Sequence, residues 1–132
     1  MRSFRPNREA ARSDRRDRLR RERLAAPLLR VLYPQVSQLR LQLNFDDGTA
    51  SPPATQAHIL HPPAPAFFRF PCPFADCSGR FDLGAPVAEM LAAARHETAH
   101  RLACLGERAQ HRPCGLQLQC AIGVQYERDL AA

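Results

Sequence analysis

From Gln38 onward the chain alternates. Leu39, Leu41, Leu43 and Phe45 fall on one side, and Gln38, Arg40, Gln42 and Asn44 on the other. A period of two with one apolar side is the pattern of a half-buried β-strand. Asp46-Asp47-Gly48-Thr49 supplies turn chemistry directly after it. A second alternation closes the chain: Leu116, Leu118, Cys120, Ile122, Val124 and Tyr126 against Gln117, Gln119, Ala121, Gly123 and Gln125. Its apolar side is unbroken, so this strand belongs against a core.

Between these two strands the pattern is shorter and more broken. Residues 50–57 read as a loop and His58–Leu60 as a short strand, with Pro62, Pro63 and Pro65 stiffening the return. Ala66–Phe70 is aromatic and β-prone. Pro27 suits the opening of a short helical turn over Leu28 to Tyr33. Pro86 to Cys104 reads as a helix, with proline in its first turn, many alanines and leucines, and Gly106 to end it. Val87, Leu91, Ala94 and Leu102 follow helical spacing loosely. The order strand, strand, cysteine loop, helix, strand predicts an α+β fold: a small antiparallel sheet of three to four strands with one main helix and a metal knuckle.

Charge divides the chain differently. Residues 1–30 carry 11 arginines against four acids, whereas residues 31–132 carry eight arginines against nine acids. The net charge of +6 therefore belongs to the N-terminal arm. Within that arm only Leu19 and Leu24 offer an apolar face, and Ser13 is placed to cap a helix running to about Ala26. Residues 1–26 are read as an arginine-rich arm, disordered or a solvated helix, and residues 27–132 as a single α+β domain. All 19 basic residues are arginine. Guanidinium groups suit bidentate phosphate recognition, and a high-GC coding sequence produces the same bias. No apolar run approaches a membrane span or a secretory leader, so a cytoplasmic setting is expected.

The chain has five cysteines and 12 prolines but no tryptophan. A small core of this kind commonly relies on a bound metal, and in a reducing compartment cysteines bind metal more often than they pair. Phe70-x-Cys72-Pro73-x-x-x-Cys77-x-x-x-Phe81-x-Leu83 is the stretch that carries this chemistry. Two thiolates on a tight turn can approach one ion while backbone N–H groups support the sulfurs, and Gly79 fits the sharp reversal. The stretch resembles the first half of a two-cysteine, two-histidine zinc finger with the longer knuckle, and more generally zinc-ribbon proteins. The resemblance implies a structural zinc held by Cys72 and Cys77.

Two completions of the site are open. In the favoured one, Cys104 and Cys114 close a four-cysteine site. Gly106 follows Cys104 as Gly79 follows Cys77, and Gly115 follows Cys114. In the other, two of His96, His100 and Cys104 serve from one face of the expected helix at i, i+4 and i+8. Cys120 falls on the inward side of the last strand and reads as a buried apolar residue.

His96-Glu97-Thr98-Ala99-His100 also matches the H-E-x-x-H pattern of zinc metallopeptidases. In those enzymes two histidines on one helical face bind zinc and the glutamate activates water. Arg101 after the second histidine, and Ala103 and Gly106 where the extended pattern places glycine and histidine, depart from it. An exposed helix face with Glu97 paired to Arg101 accounts for the same residues. His58 and His61 read as surface histidines. His111, Arg108 and Arg112 share the loop between Cys104 and Cys114, where they are placed to be solvated or to meet phosphate.

Three functions follow. The first is a non-enzymatic zinc module contacting nucleic acid or a ribonucleoprotein through Arg15, Arg16, Arg18, Arg20, Arg21 and Arg23. The second is a protein-interaction adapter with structural zinc, docking through the Phe67-Phe68 region. The third is a small metallopeptidase acting through His96, Glu97 and His100.

Overall fold

A computed structural model of the chain describes residues 8–46, 54–74 and 76–130. In chain order its elements begin with helix α1 (Arg8–Ala25), the short helix α2 (Leu29–Leu32) and strands β1 (Val36–Asp46), β2 (Ala54–Leu60), β3 (Arg69–Pro71) and β4 (Arg80–Asp82). Helix α3 (Gly84–Ala92), strands β5 (Glu97–Ala103), β6 (Glu107–Arg108), β7 (Arg112–Pro113) and β8 (Gln117–Tyr126), and helix α4 (Glu127–Leu130) follow. The fold is α+β, built on a four-stranded antiparallel sheet in the order β2-β1-β8-β5.

The two alternating segments form the centre of that sheet. Leu39, Leu41, Leu43 and Phe45 stand opposite Val124, Ile122, Cys120 and Leu118. Cross-strand pairs on one face pack together, so the two apolar sides become one continuous surface. Helix α3 adds Val87, Met90 and Leu91 to the same buried cluster, and α2 adds Leu29. Phe68, Phe70, Phe81 and Leu83, from the chain around β3 and β4, complete it. The Phe45 and Phe81 rings meet with centroids 5.6 Å apart, joining the sheet to the cysteine hairpins.

The expected helix from Pro86 to Cys104 is corrected: it covers only Gly84–Ala92, and Glu97–Ala103 is strand β5. Ala94 takes a positive φ of 52°, its N–H donates to Leu91, and the N–H of Arg95 reaches back to Met90. That pair of bonds is the Schellman ending of a helix, whose left-handed residue is usually glycine. With alanine there, the stop carries no mark in the sequence. Beyond it, β5 completes the edge of β8, and ladder pairing overrides the helix propensity of its alanines.

Smaller differences follow the same logic. β2 begins at Ala54 rather than His58, because β1 offers it a ladder as far as Phe45. The expected turn at Asp47-Gly48-Thr49 lies outside the described residues. Helix α1 starts upstream of Ser13, which lies inside it rather than at its cap. It rests on the domain through Leu19, which is buried. Arg15 donates to the carbonyl of Cys77, and Glu22 bridges Arg69 and Arg80 at 3.4 and 3.7 Å.

Candidate metal centre

β3 and β4 form one hairpin and β6 and β7 another. Cys72 and Cys77 sit in the turn of the first. Cys104 and Cys114 flank the second. The four sulfurs of Cys72, Cys77, Cys104 and Cys114 all lie within 4.8 Å of one another, and Cys120, though buried, stands apart from them. The Cys72 and Cys114 sulfurs are 3.6 Å apart, as are those of Cys77 and Cys104. A disulfide needs about 2.05 Å, so these are contacts between unbridged thiols. A tetrahedron of about 2.3 Å metal–sulfur bonds sets its sulfurs about 3.8 Å apart, close to the spacing found. The group can hold a metal ion, and four protein ligands leave no open position on a tetrahedral one.

The hairpins are related by an approximate twofold repetition. The N–H of Gly79 points at the Cys77 sulfur at 3.2 Å, and that of Gly106 at the Cys104 sulfur at 3.4 Å. Cys72 donates its N–H to the Gly79 carbonyl, and Cys114 donates to that of Gly106, both at 3.0 Å. Amide donors of this kind stabilise thiolate charge and orient the ligands. The two glycines face each other across the pseudo-axis. A Cβ on Gly106 would lie 2.4 Å from the Gly79 backbone, and one on Gly79 would lie 2.3 Å from the Cys104 sulfur. Only hydrogen fits at either place, so both Cys-x-Gly turns are required by the close approach of the hairpins.

Thiol chemistry in this cluster points the same way. Burial first, and then the neighbouring cysteine sulfurs, push Cys104 up to about 11 and hold Cys72 still higher, against the backbone amides that favour charge. Burial also opposes ionisation of Cys114, but the Leu116 N–H and the other three thiols outweigh it, and its pKa falls below the usual thiol value. Ionisation is thus eased at Cys114 and opposed at Cys72 and Cys104. A divalent cation is the ordinary remedy for four thiols held this close.

Residues around the sulfurs tie the two hairpins together. Asp76 accepts from the Ala109 N–H at 3.3 Å and from Arg108 at 3.1 Å. Burial works against its charge, but those donors hold its carboxyl below the usual carboxylate range. Arg108 also lies over the Phe74 ring, 4.0 Å from its centroid. Ser78 and Glu107 exchange bonds of 3.1 and 3.2 Å across the gap. None of these residues stands out from spacing alone; Asp76 beside Cys77 is the one local hint. Arg108 is therefore committed to the centre, and His111 faces Glu107 at 3.2 Å.

The alternative pair His96 and His100 is corrected. His96 lies just before β5 and His100 within it, so four residues of extended chain, about 13 Å, separate them, and the two rings have different partners. Their Nε2 atoms meet Asp129 at 3.1 Å and Thr98 Oγ1 at 3.0 Å, while Glu97 lies on the opposite face of β5. The helical arrangement that an H-E-x-x-H zinc site needs is absent from residues 96–100. His58 is half-buried rather than free, its ring against Phe70 with centroids 4.8 Å apart. Phe68 belongs to the core, and Phe67 is half-buried beneath Arg23. Among the described residues no helix is long and apolar enough to cross a membrane. Comparison with protein-family models, curated proteins and solved structures finds no match for this chain.

Proposed function

We propose that the chain is a small non-enzymatic zinc module that contacts nucleic acid or a ribonucleoprotein through the arginines of α1. One observation carries the metal half of this reading: four cysteine sulfurs from two hairpins within 4.8 Å of one another. Four thiolates in a tetrahedral arrangement favour zinc over hard cations, and a closed set makes the ion structural. Its role is to join two hairpins whose strands are only two or three residues long.

Support for the polyanion half comes from α1. Arg16, Arg18, Arg20, Arg21 and Arg23 are exposed, and Arg16, Arg20 and Arg23 recur at i, i+4 and i+7 along one side. Arg15, half-buried against the Cys77 carbonyl, anchors the helix to the metal lobe instead of facing solvent. The zinc lobe then acts as the support that orients a row of guanidinium groups toward phosphates.

Elemental analysis of the purified full chain tests the first half, with one zinc per chain expected. Binding of labelled single-stranded RNA at several salt concentrations tests the second. Wild type is expected to weaken steeply with salt. Arg16→Ala, Arg20→Ala and Arg23→Ala combined should flatten that slope by about 0.7 for each phosphate no longer neutralised. RNA binding unchanged by the triple substitution would remove this role from α1.

A protein adapter is the second reading. Leu24 and Val31 are 77% and 65% exposed, and Leu32 lines a shallow groove with Ala25, Ala26 and Phe67. Binding that resists salt and survives the arginine substitutions would favour it.

A further inference from the structure

The sheet has two edges, and they differ. β2 carries no aspartate, glutamate, lysine or arginine, and its chain runs on into Pro62 and Pro63. Prolines beside an edge strand discourage further pairing. β5 is the other edge, seven residues long, with Glu97, Ala99, Arg101 and Ala103 exposed in alternation. No proline interrupts it.

The direction of its backbone groups can be read from the ladder. Val124 donates to the His96 carbonyl and Cys104 donates to that of Leu116, each at 2.8 Å. Both bonds belong to the register that pairs Thr98 with Ile122 and His100 with Cys120. Even-numbered residues of β5 therefore turn their N–H and C=O groups toward β8. The odd-numbered ones, Glu97, Ala99, Arg101 and Ala103, turn theirs away from the sheet. Their side chains share the outer face of the sheet, so each presents an outward backbone pair and an exposed side chain together.

These positions are self-complementary. In an antiparallel pairing centred on Ala99, outward-facing residues meet outward-facing residues, as the ladder requires. Glu97 of one copy stands directly opposite Arg101 of the other, twice over by symmetry. On the opposite face the half-buried Thr98 meets His100. A centre at Arg101 would oppose the two arginines, and one at Thr98 would set Arg95 against Arg101. A centre at His100 leaves both charged residues facing alanines. Opposite charges directly across a ladder stabilise it and like charges disfavour it, which selects the Ala99 register. We propose that β5 pairs antiparallel with β5 of a second copy of this chain about Ala99, joining two four-stranded sheets into one of eight strands. The inference is independent of the zinc reading, because β5 carries none of the four clustered cysteines.

Sedimentation velocity on the 132-residue chain as purified, over a wide concentration range, tests it. Wild type should approach twice the monomer mass. Glu97→Arg places four arginines at the seam, and Arg101→Glu four glutamates. Each variant alone should associate about tenfold more weakly or worse. Mixed in equal amounts they should recover the dimer, because every opposed pair is again of opposite sign. A monomeric wild type, variants that dimerise normally, or a mixture that stays monomeric would each overturn the proposal. Amide exchange of wild type alone supplies a check that no variant's folding can confuse. Protection of Glu97, Ala99 and Arg101 should rise with concentration, while Thr98 and His100 stay protected throughout. Concentration-independent exchange at Ala99 would equally defeat it.

Discussion

β1 and β8 bury Leu39, Leu41, Leu43, Leu118 and Ile122 to 1% exposure or less, across a ladder running from Val36 to Asp46. The two cysteine hairpins pair three residues in one case and two in the other, and their most buried side chains include Cys72 and Cys77. The sheet is thus held by apolar area and many backbone bonds, whereas the hairpin lobe, beyond Phe70 and Phe81 that anchor it to the core, is held by a few thiols, two glycine turns and Asp76. Hydrophobic packing degrades gradually as side chains are trimmed, at about 25 cal/mol for each Å² returned to water. A site of four ligands behaves differently, since one missing sulfur opens the coordination sphere and leaves three thiols crowded in a dry place. Stability in this molecule should accordingly be distributed in one half and concentrated in the other.

The largest effect is expected from Cys77→Ser. Structural zinc contributes roughly 10–16 kcal/mol of apparent binding free energy in small modules, so losing it should unfold the hairpin lobe. Elemental analysis should find no bound zinc, and far-UV circular dichroism should retain the sheet. Full metal content in this variant would break the contrast between the halves. Gly106→Ala comes next, because its Cβ would press on the Gly79 backbone at 2.4 Å. Zinc affinity, measured by competition with a chromophoric chelator, should fall by at least about tenfold, in the range seen when groups supporting a metal site are removed.

Leu118→Ala sharpens the comparison from the other side. It should cost about 2–5 kcal/mol in urea unfolding, the range for a buried leucine, yet leave one zinc bound per folded chain. A smaller and more particular effect is expected from pH on the metal-free protein. Cys104 is shifted upward from 9.0 to about 11, so the fold favours its neutral thiol. That contribution is fully present below pH 9 and is lost as pH rises through about 11. The zinc-loaded protein should show the reverse, releasing metal as acid protonates its thiolates. Thermal unfolding of both forms across pH checks the sign, and an alkaline loss confined to the zinc-loaded form would contradict it.

How much of this was legible beforehand varied from element to element. β1 and β8 could be read because a buried strand with one wet face writes its register into alternate residues, and both bury the side expected. The pairing of Cys72 and Cys77 with Cys104 and Cys114 was also readable, since each pair carries its own Cys-x-Gly turn. β5 was not. Glu97 to Ala103 carries a single apolar residue on its inner side, Leu102, and its alanines favour a helix. Asp76 and Arg108 were hidden for another reason: they lie 32 residues apart, and nothing local requires them to meet.

Patterning and cysteine turns therefore sufficed for the fold class, the two central strands and the grouping of four cysteines. Those features follow from local periodicity and from the geometry of a single turn. Where α3 stops, which strand completes the sheet, and how the two hairpins lock together depend on partners distant in the chain. Ala94 adopts a left-handed φ because the next segment must reach β8, and β5 is a strand because β8 has an unfilled edge. A helix propensity of a few tenths of a kcal/mol per residue cannot outweigh a ladder of backbone bonds and the burial behind it. The same edge logic leaves β5 as the strand on which the proposed second copy would continue the sheet.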